Sequence, residues 1–298
     1  MSNQKHRLIN QAILGVATTL GLFSASVANA ASLNVLWHGN ANYNAQISEL
    51  AALAPTFDPK GDGSLDWNLT FWNFQDPTPN FSDYDVLAIG SFTLVSETTP
   101  ILNNKEAIAK ARGNRTFLSG QDADFHYSFN PGPRPDGPLG FLVNAINWAG
   151  SGDGMGIVAL PDGQYSQLWL LDDRSFLKDE LEGYVSYFEE ENVVIPTQTS
   201  DFPVNEGLTT AGLSNWGVSS HAGFNKNIPG YLSINDAGSR PGYAVTIVTA
   251  SEADGGTLGP ESESVSEPST ISVPEPTTMA MIGITAIALF GYKRQSRS

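Results

Sequence analysis

Residues 33–160 alternate short, unbroken apolar runs with stretches of helical spacing, and a layered α/β fold is the arrangement that satisfies both periods at once. The runs at residues 33–37, 85–90, 116–118 and 155–160 are too short for helices. Residues 33–37 read as a buried strand, and the other three runs as short strands. Residues 67–74 are aromatic and β-like. Residues 43–53 place Ile47, Leu50 and Leu53 on one helical face, residues 105–112 are rich in Ala, and residues 139–149 return to helical spacing after a Pro/Gly-rich loop. The order strand, helix, strand, strand, helix, strand, helix, strand predicts a mostly parallel sheet between helices. From Tyr165 onward the pattern weakens, although residues 243–249 (YAVTIVT) read as a final strand. No repeat of fixed period points to a solenoid or propeller.

The two ends of the chain read as address labels. Lys5, His6 and Arg7 precede a mostly apolar stretch over residues 8–23, and Val27-Ala28-Asn29-Ala30 offers the small residues that signal peptidase requires. Residues 1–30 are therefore predicted to be a signal peptide, and residues 31–250 the exported domain. Residues 251–273 are rich in Ser, Glu, Gly and Pro and lack the apolar surface needed to offset ordering entropy, so a flexible acidic linker is expected there. Residues 277–292 carry no charge; sixteen residues make ~24 Å of helix, just short of a full membrane span. Lys293, Arg294 and Arg297 follow and suit the cytoplasmic side.

Pro274-Glu275-Pro276, the apolar span and the basic end together resemble the PEP-CTERM sorting signal of exported bacterial proteins. That resemblance implies recognition of residues 274–298 by a membrane-embedded exosortase, cleavage near the Pro274-Glu275-Pro276 motif, and a destination in the cell envelope or the extracellular matrix. Attachment through the C-terminal transmembrane helix would be transient or permanent. The same setting implies extracellular polysaccharide as a partner.

Charge and cysteine content remove several classes of function. With Lys5, Arg7, Lys293, Arg294 and Arg297 set aside, 10 basic residues face 31 acidic ones, a net charge of −21. Such a surface repels phosphate backbones, so no nucleic-acid partner is expected. The chain has no cysteine, which excludes disulfides, thiol catalysis and Cys-ligated zinc.

Thr116-Phe117-Leu118-Ser119-Gly120-Gln121-Asp122, preceded by DVLAIG and followed by Ser219-Ser220-His221, resembles the layout of class I glutamine amidotransferase-like domains. These are flavodoxin-like sheets that include the ThuA-like proteins. In the enzymes of that group the turn after this strand carries a nucleophilic Cys paired with a downstream His. Here the turn offers Gln121 or Asp122, which argues against amidotransferase chemistry.

Open α/β sheets bind ligands beyond the carboxyl ends of their strands. Polar groups fall at predicted strand ends in three places: His38-Gly39-Asn40, residues 121–126, and Ser219-Ser220-His221. Asp122, His126 and His221 are the candidate catalytic residues, because a His with a carboxylate partner can act as a general base, and His with Asp can hold a divalent metal. The ordinary reading of each His is a hydrogen-bonded structural one. No cofactor and no resident metal is expected.

Residues 58–66 match part of a calcium loop but fail where Lys60 and Leu69 replace oxygen ligands, so an acidic turn is expected. Trp37, Trp72, Tyr127 and Trp216 suit either a core or a sugar-stacking surface. The leading expectation is a non-catalytic surface or matrix-associated protein. A hydrolase using the strand-end Asp and His, and a carbohydrate-binding module, stay open as alternatives.

Overall fold

The computed structural model describes residues 32–61, 65–91, 95–130, 134–163 and 169–250, all within one compact unit. The predicted signal peptide, acidic linker and C-terminal transmembrane span lie outside the described residues. No helix among the described residues is long and apolar enough to cross a membrane.

The first half is built as the periodicity predicts. Strand β1 (Ser32–His38) is followed by helix α1 (Asn44–Leu53), β2 (Asp66–Phe71), β3 (Val86–Ile89), α2 (Thr99–Asn103), α3 (Lys105–Ala111) and β4 (Arg112–Ser119). Helices α4 (Ala123–Phe129) and α5 (Pro138–Gly150) lead into β5 (Met155–Ala159). These five strands are parallel, in the spatial order β2-β1-β3-β5-β4. The mostly parallel α/β arrangement expected from the sequence is present; where a flavodoxin-like sheet runs 2-1-3-4-5, here β5 lies between β3 and β4. Every residue of β3 and β5 is buried, which is why both runs are continuously apolar.

Successive side chains of these strands enter two separate cores. Val35, Val86, Ala88, Phe117 and Val158 join one core with Ile47, Leu50, Phe141, Leu142 and Ile146 of α1 and α5. Leu36, Leu87, Ile89, Leu118 and Ile157 join the other with Ile101 and Ile108 of α2 and α3. The alternation is the period of two of a pleated strand, and it creates the three layers.

The second half, indistinct in sequence, turns the sheet mixed. Helix α6 (Lys178–Leu181) precedes β6 (Val185–Glu190), β7 (Val193–Val194), β8 (Ser220–Asn225), β9 (Tyr231–Ala237) and β10 (Tyr243–Thr249). Strand β10 runs antiparallel to β4, β8 and β9, while β6 pairs antiparallel with β8 and β7 with β9. These strands mix half-buried polar positions with apolar ones, which hides them from a search for continuous runs.

A charged staple ties the two halves together. Arg112, opening β4, donates from Nη1 and Nη2 to the two carboxylate oxygens of Glu180 on α6 at 2.5 and 2.9 Å. The Tyr231 hydroxyl of β9 donates to the same carboxylate at 2.5 Å. Burial pushes the Glu180 carboxyl up, but the hydrogen bonds and charge of Arg112, with Tyr231, outweigh it, so its pKa lies below the ordinary 4.5. A carboxyl depressed in the folded state adds stability above its unfolded pKa and loses it as pH falls through the folded one. Urea midpoints measured from pH 6 downward should therefore fall more steeply for the wild type than for Glu180→Gln once pH drops below about 4.5; equal slopes would show that the staple contributes nothing.

Candidate functional site

The site forms where β4 ends. Gly120 N–H donates to Val245 O of β10 and Gly120 O accepts from His221 N–H of β8, both at 2.9 Å. A Cβ at this position would fall 2.0 Å from the Ala222 carbonyl oxygen, so only glycine lets the strand end reach both neighbours. Gln121, fully buried, donates from Nε2 to Leu213 O at 3.1 Å. The chain then turns into α4 at Asp122.

Aspartate is a favoured helix N-cap, yet Asp122 makes no capping hydrogen bond. Its carboxyl, 2% exposed, lines a cavity of about 650 Å³ with His126, Asp162, Trp216 and His221. His126 is one helical turn on, and its Nε2 lies 3.2 Å from Asp122 Oδ1. That ring nitrogen donates to Val218 O at 2.9 Å, which leaves Asp122 Oδ1 with no hydrogen-bond donor among the described residues. His221 Nε2 stands 3.9 Å from Asp122 Oδ2. Burial pulls the His126 pKa down, but the adjacent Asp122 carboxylate and the Val218 carbonyl outweigh it and leave it raised.

The structure thus brings Asp122, His126 and His221 together across a sequence separation of about one hundred residues. It also adds Asp162, which sequence reasoning missed. Asp162 follows β5 by three residues, so the same strand-end rule applied to Leu160-Pro161-Asp162 would have found it. Burial and the charge of Asp122 push its pKa up to about 6, against a downward pull from His221 and His126.

His38, by contrast, is structural. Its ring nitrogens face Trp72 O at 2.5 Å and Glu97 O at 2.8 Å, and burial, partly offset by those carbonyls, lowers its pKa. Trp37 and Trp72 are core residues; Tyr127 is buried but borders the cavity, and Trp216 is half-buried in the cavity wall with its ring 5.3 Å from that of His126. Asp58 accepts from Gly61 N–H at 2.7 Å, closing the expected acidic turn.

Behind the site, Asp124 points the other way. Its Oδ2 accepts from Ser91 N–H at 2.9 Å and from Ser91 Oγ at 3.1 Å, fastening α4 to the end of β3. Complete burial raises its pKa to about 7; the Ser91 bonds oppose this and the charge of Asp122 adds to it.

The comparisons with known proteins bear on the other end of the chain. Residues 272–295 match the PEP-CTERM protein-sorting motif. The motif supports export by the exosortase route and association with the cell envelope. No curated protein and no solved structure matches the chain, and none of the comparisons supports the resemblance to amidotransferase-like domains.

The glycine at the strand end is directly testable. Gly120→Ala should destabilise the protein by about 1–3 kcal/mol or more through overpacking against backbone, whereas Gly242→Ala, where a Cβ meets nothing within 4 Å, should leave the thermal midpoint unchanged. Equal midpoints for the two variants would contradict this account of the junction.

Proposed function

We propose that this protein is delivered by the exosortase route to the cell envelope, loses its C-terminal span near Pro274-Glu275-Pro276, and acts there as a hydrolase of polysaccharide or its substituents. The observation that carries the reading is the buried Asp122 carboxyl held beside His126 and His221 in a cavity large enough for a small ligand. This favours the hydrolase over the non-catalytic protein expected from sequence. A carboxyl set between two imidazoles, with Asp162 opposite, suits activation of a water molecule. The water oxygen joins the electrophilic carbon, the bond to the leaving group breaks, and the proton taken from the water ends on the leaving group. The glycan assignment rests on the wall: Trp216 and Phe125 line the cavity, and Phe129, 69% exposed, sits at 4.4 Å from the Phe125 ring. Flat apolar faces of this kind pack against sugar rings.

Two measurements test the two parts. On chromogenic glycosides and acyl esters of sugars, Asp122→Asn and His221→Gln should each lower kcat/KM by about 10²–10⁴ while His38→Gln does not, as expected for groups that handle the reacting proton. Absence of turnover on every probe removes the hydrolase. For the export route, mass spectrometry of envelope-associated protein should find a C-terminus upstream of residue 277; an intact end at Ser298 would refute processing.

A further inference from the structure

We propose that Asp122, Asp162 and His221 bind one divalent first-row cation, of the Zn²⁺ or Mn²⁺ type, at the base of the strand-end cavity; this rests on reading that cavity as the active site and names what activates its water. One oxygen from each carboxyl and one ring nitrogen of His221 all lie within 4.8 Å of one another. The 3.9 Å between His221 Nε2 and Asp122 Oδ2 is too long for a hydrogen bond. It is longer than the ~3.0–3.4 Å between neighbouring donors of one ion with bonds of ~2.1 Å and shorter than the ~4.2 Å between opposite ones, so the donors must close by about 0.5–1 Å to share a cation. Asp162 and His221 are only half-buried, so side-chain rotation can close the remaining gap.

Asp122 supplies an independent argument. It is 2% exposed, it does not cap α4, and among the described residues its Oδ1 has no hydrogen-bond donor, since the N–H of His126, 3.2 Å away, is directed to Val218 O. A buried carboxyl oxygen without a donor is costly unless something positive meets it. Among the described residues Asp122 pairs with histidines alone and with no Lys or Arg. A dication on the Oδ2 side, toward His221, adds positive charge to that already offered by His126, whose ring lies 3.2 Å from Oδ1 on the other side of the carboxylate, the place of an outer partner to a metal ligand.

The donor set selects the metal. Two carboxylate oxygens and one imidazole, with no thiolate in the chain, suit Zn²⁺ or Mn²⁺ and not the soft ions that thiolates select. Three protein ligands leave a position for water on the cavity side, where a bound cation lowers the pKa of that water toward neutrality. His221 is on this account a ligand through Nε2, and the proton it would otherwise take is released from cation-bound water.

Isothermal titration of the chelator-stripped full-length chain with Zn²⁺ and with Mn²⁺ tests the site. One ion per chain is expected for at least one metal, with Kd weakened at least ~30-fold in Asp162→Asn and in His221→Gln, and with the metal-induced rise in thermal midpoint lost in both. Asp122→Asn removes a buried group, so the two half-buried positions carry the test, each variant being checked for a wild-type far-UV circular dichroism spectrum. Absence of saturable binding, or binding that both variants retain, overturns the proposal. Turnover that survives chelation but falls in Asp122→Asn removes the cation and keeps the hydrolase. A tight site lost in Asp162→Asn, with no turnover on any probe, keeps the cation and removes the hydrolase.

Discussion

The close approach of β4 to β8 at Gly120 is the constraint on which the rest of the site depends. Without a side chain at that position the end of β4 can give its N–H to β10 and its carbonyl to His221 of β8. Two consequences follow from one missing Cβ. The pairing of β10 with β4 along Phe117–Ser119 is extended by one more backbone bond, from Gly120 N–H to Val245 O, at the junction of the two halves. And His221, whose own N–H makes one of those bonds, is delivered to within 4 Å of a carboxyl that begins the next helix. A methyl group would push β8 away from β4, and the imidazole with it.

Around that junction the polar groups are divided between those that hold and those that face the cavity. Asp124 is committed to Ser91, Gln121 to Leu213, and Ser119 to Thr246, whose hydroxyl is 2.9 Å away. Those bonds fix α4 and the strand end, since hydrogen bonds between buried groups rigidify their surroundings. Asp122 and Asp162 line the cavity. Burial first, and then the charge of Asp122, raises the pKa of Asp162. The acidity of the site is of a piece with the whole exported chain, which carries an excess of carboxylates.

Much of the parallel half could be read in advance because its strands are buried on both faces. Residues 86–89 and 155–159 have no polar face to hide, and a continuous apolar run is an unambiguous signal of that burial. Strands β6 and β9 are different, since their half-buried positions carry Ser186, Tyr187, Ser233 and Asp236 among the apolar residues, and Ser186 finds its partner only in distant Tyr243. Helix α4 was hidden for a related reason: seven residues, four of them buried, give too short a window for helical spacing to show. The strand order β3-β5-β4 has no local signature at all, because crossover connections of similar length serve either neighbour.

The sequence by itself determined the layered α/β class of the first half, the absence of thiol chemistry, and the sorting signal at residues 272–295. These are properties of composition, period and contiguous motif, and they need no knowledge of what lies beside what. It also marked Asp122, His126 and His221 as candidates, on the rule that strand ends carry sites. Only the tertiary structure decided that these three share a cavity, that Asp162 belongs with them, and that His38, at an equally good strand end, is sealed between two carbonyl oxygens. The physical reason is that convergence depends on register and close approach across about one hundred residues. Here a backbone contact at a single glycine sets both.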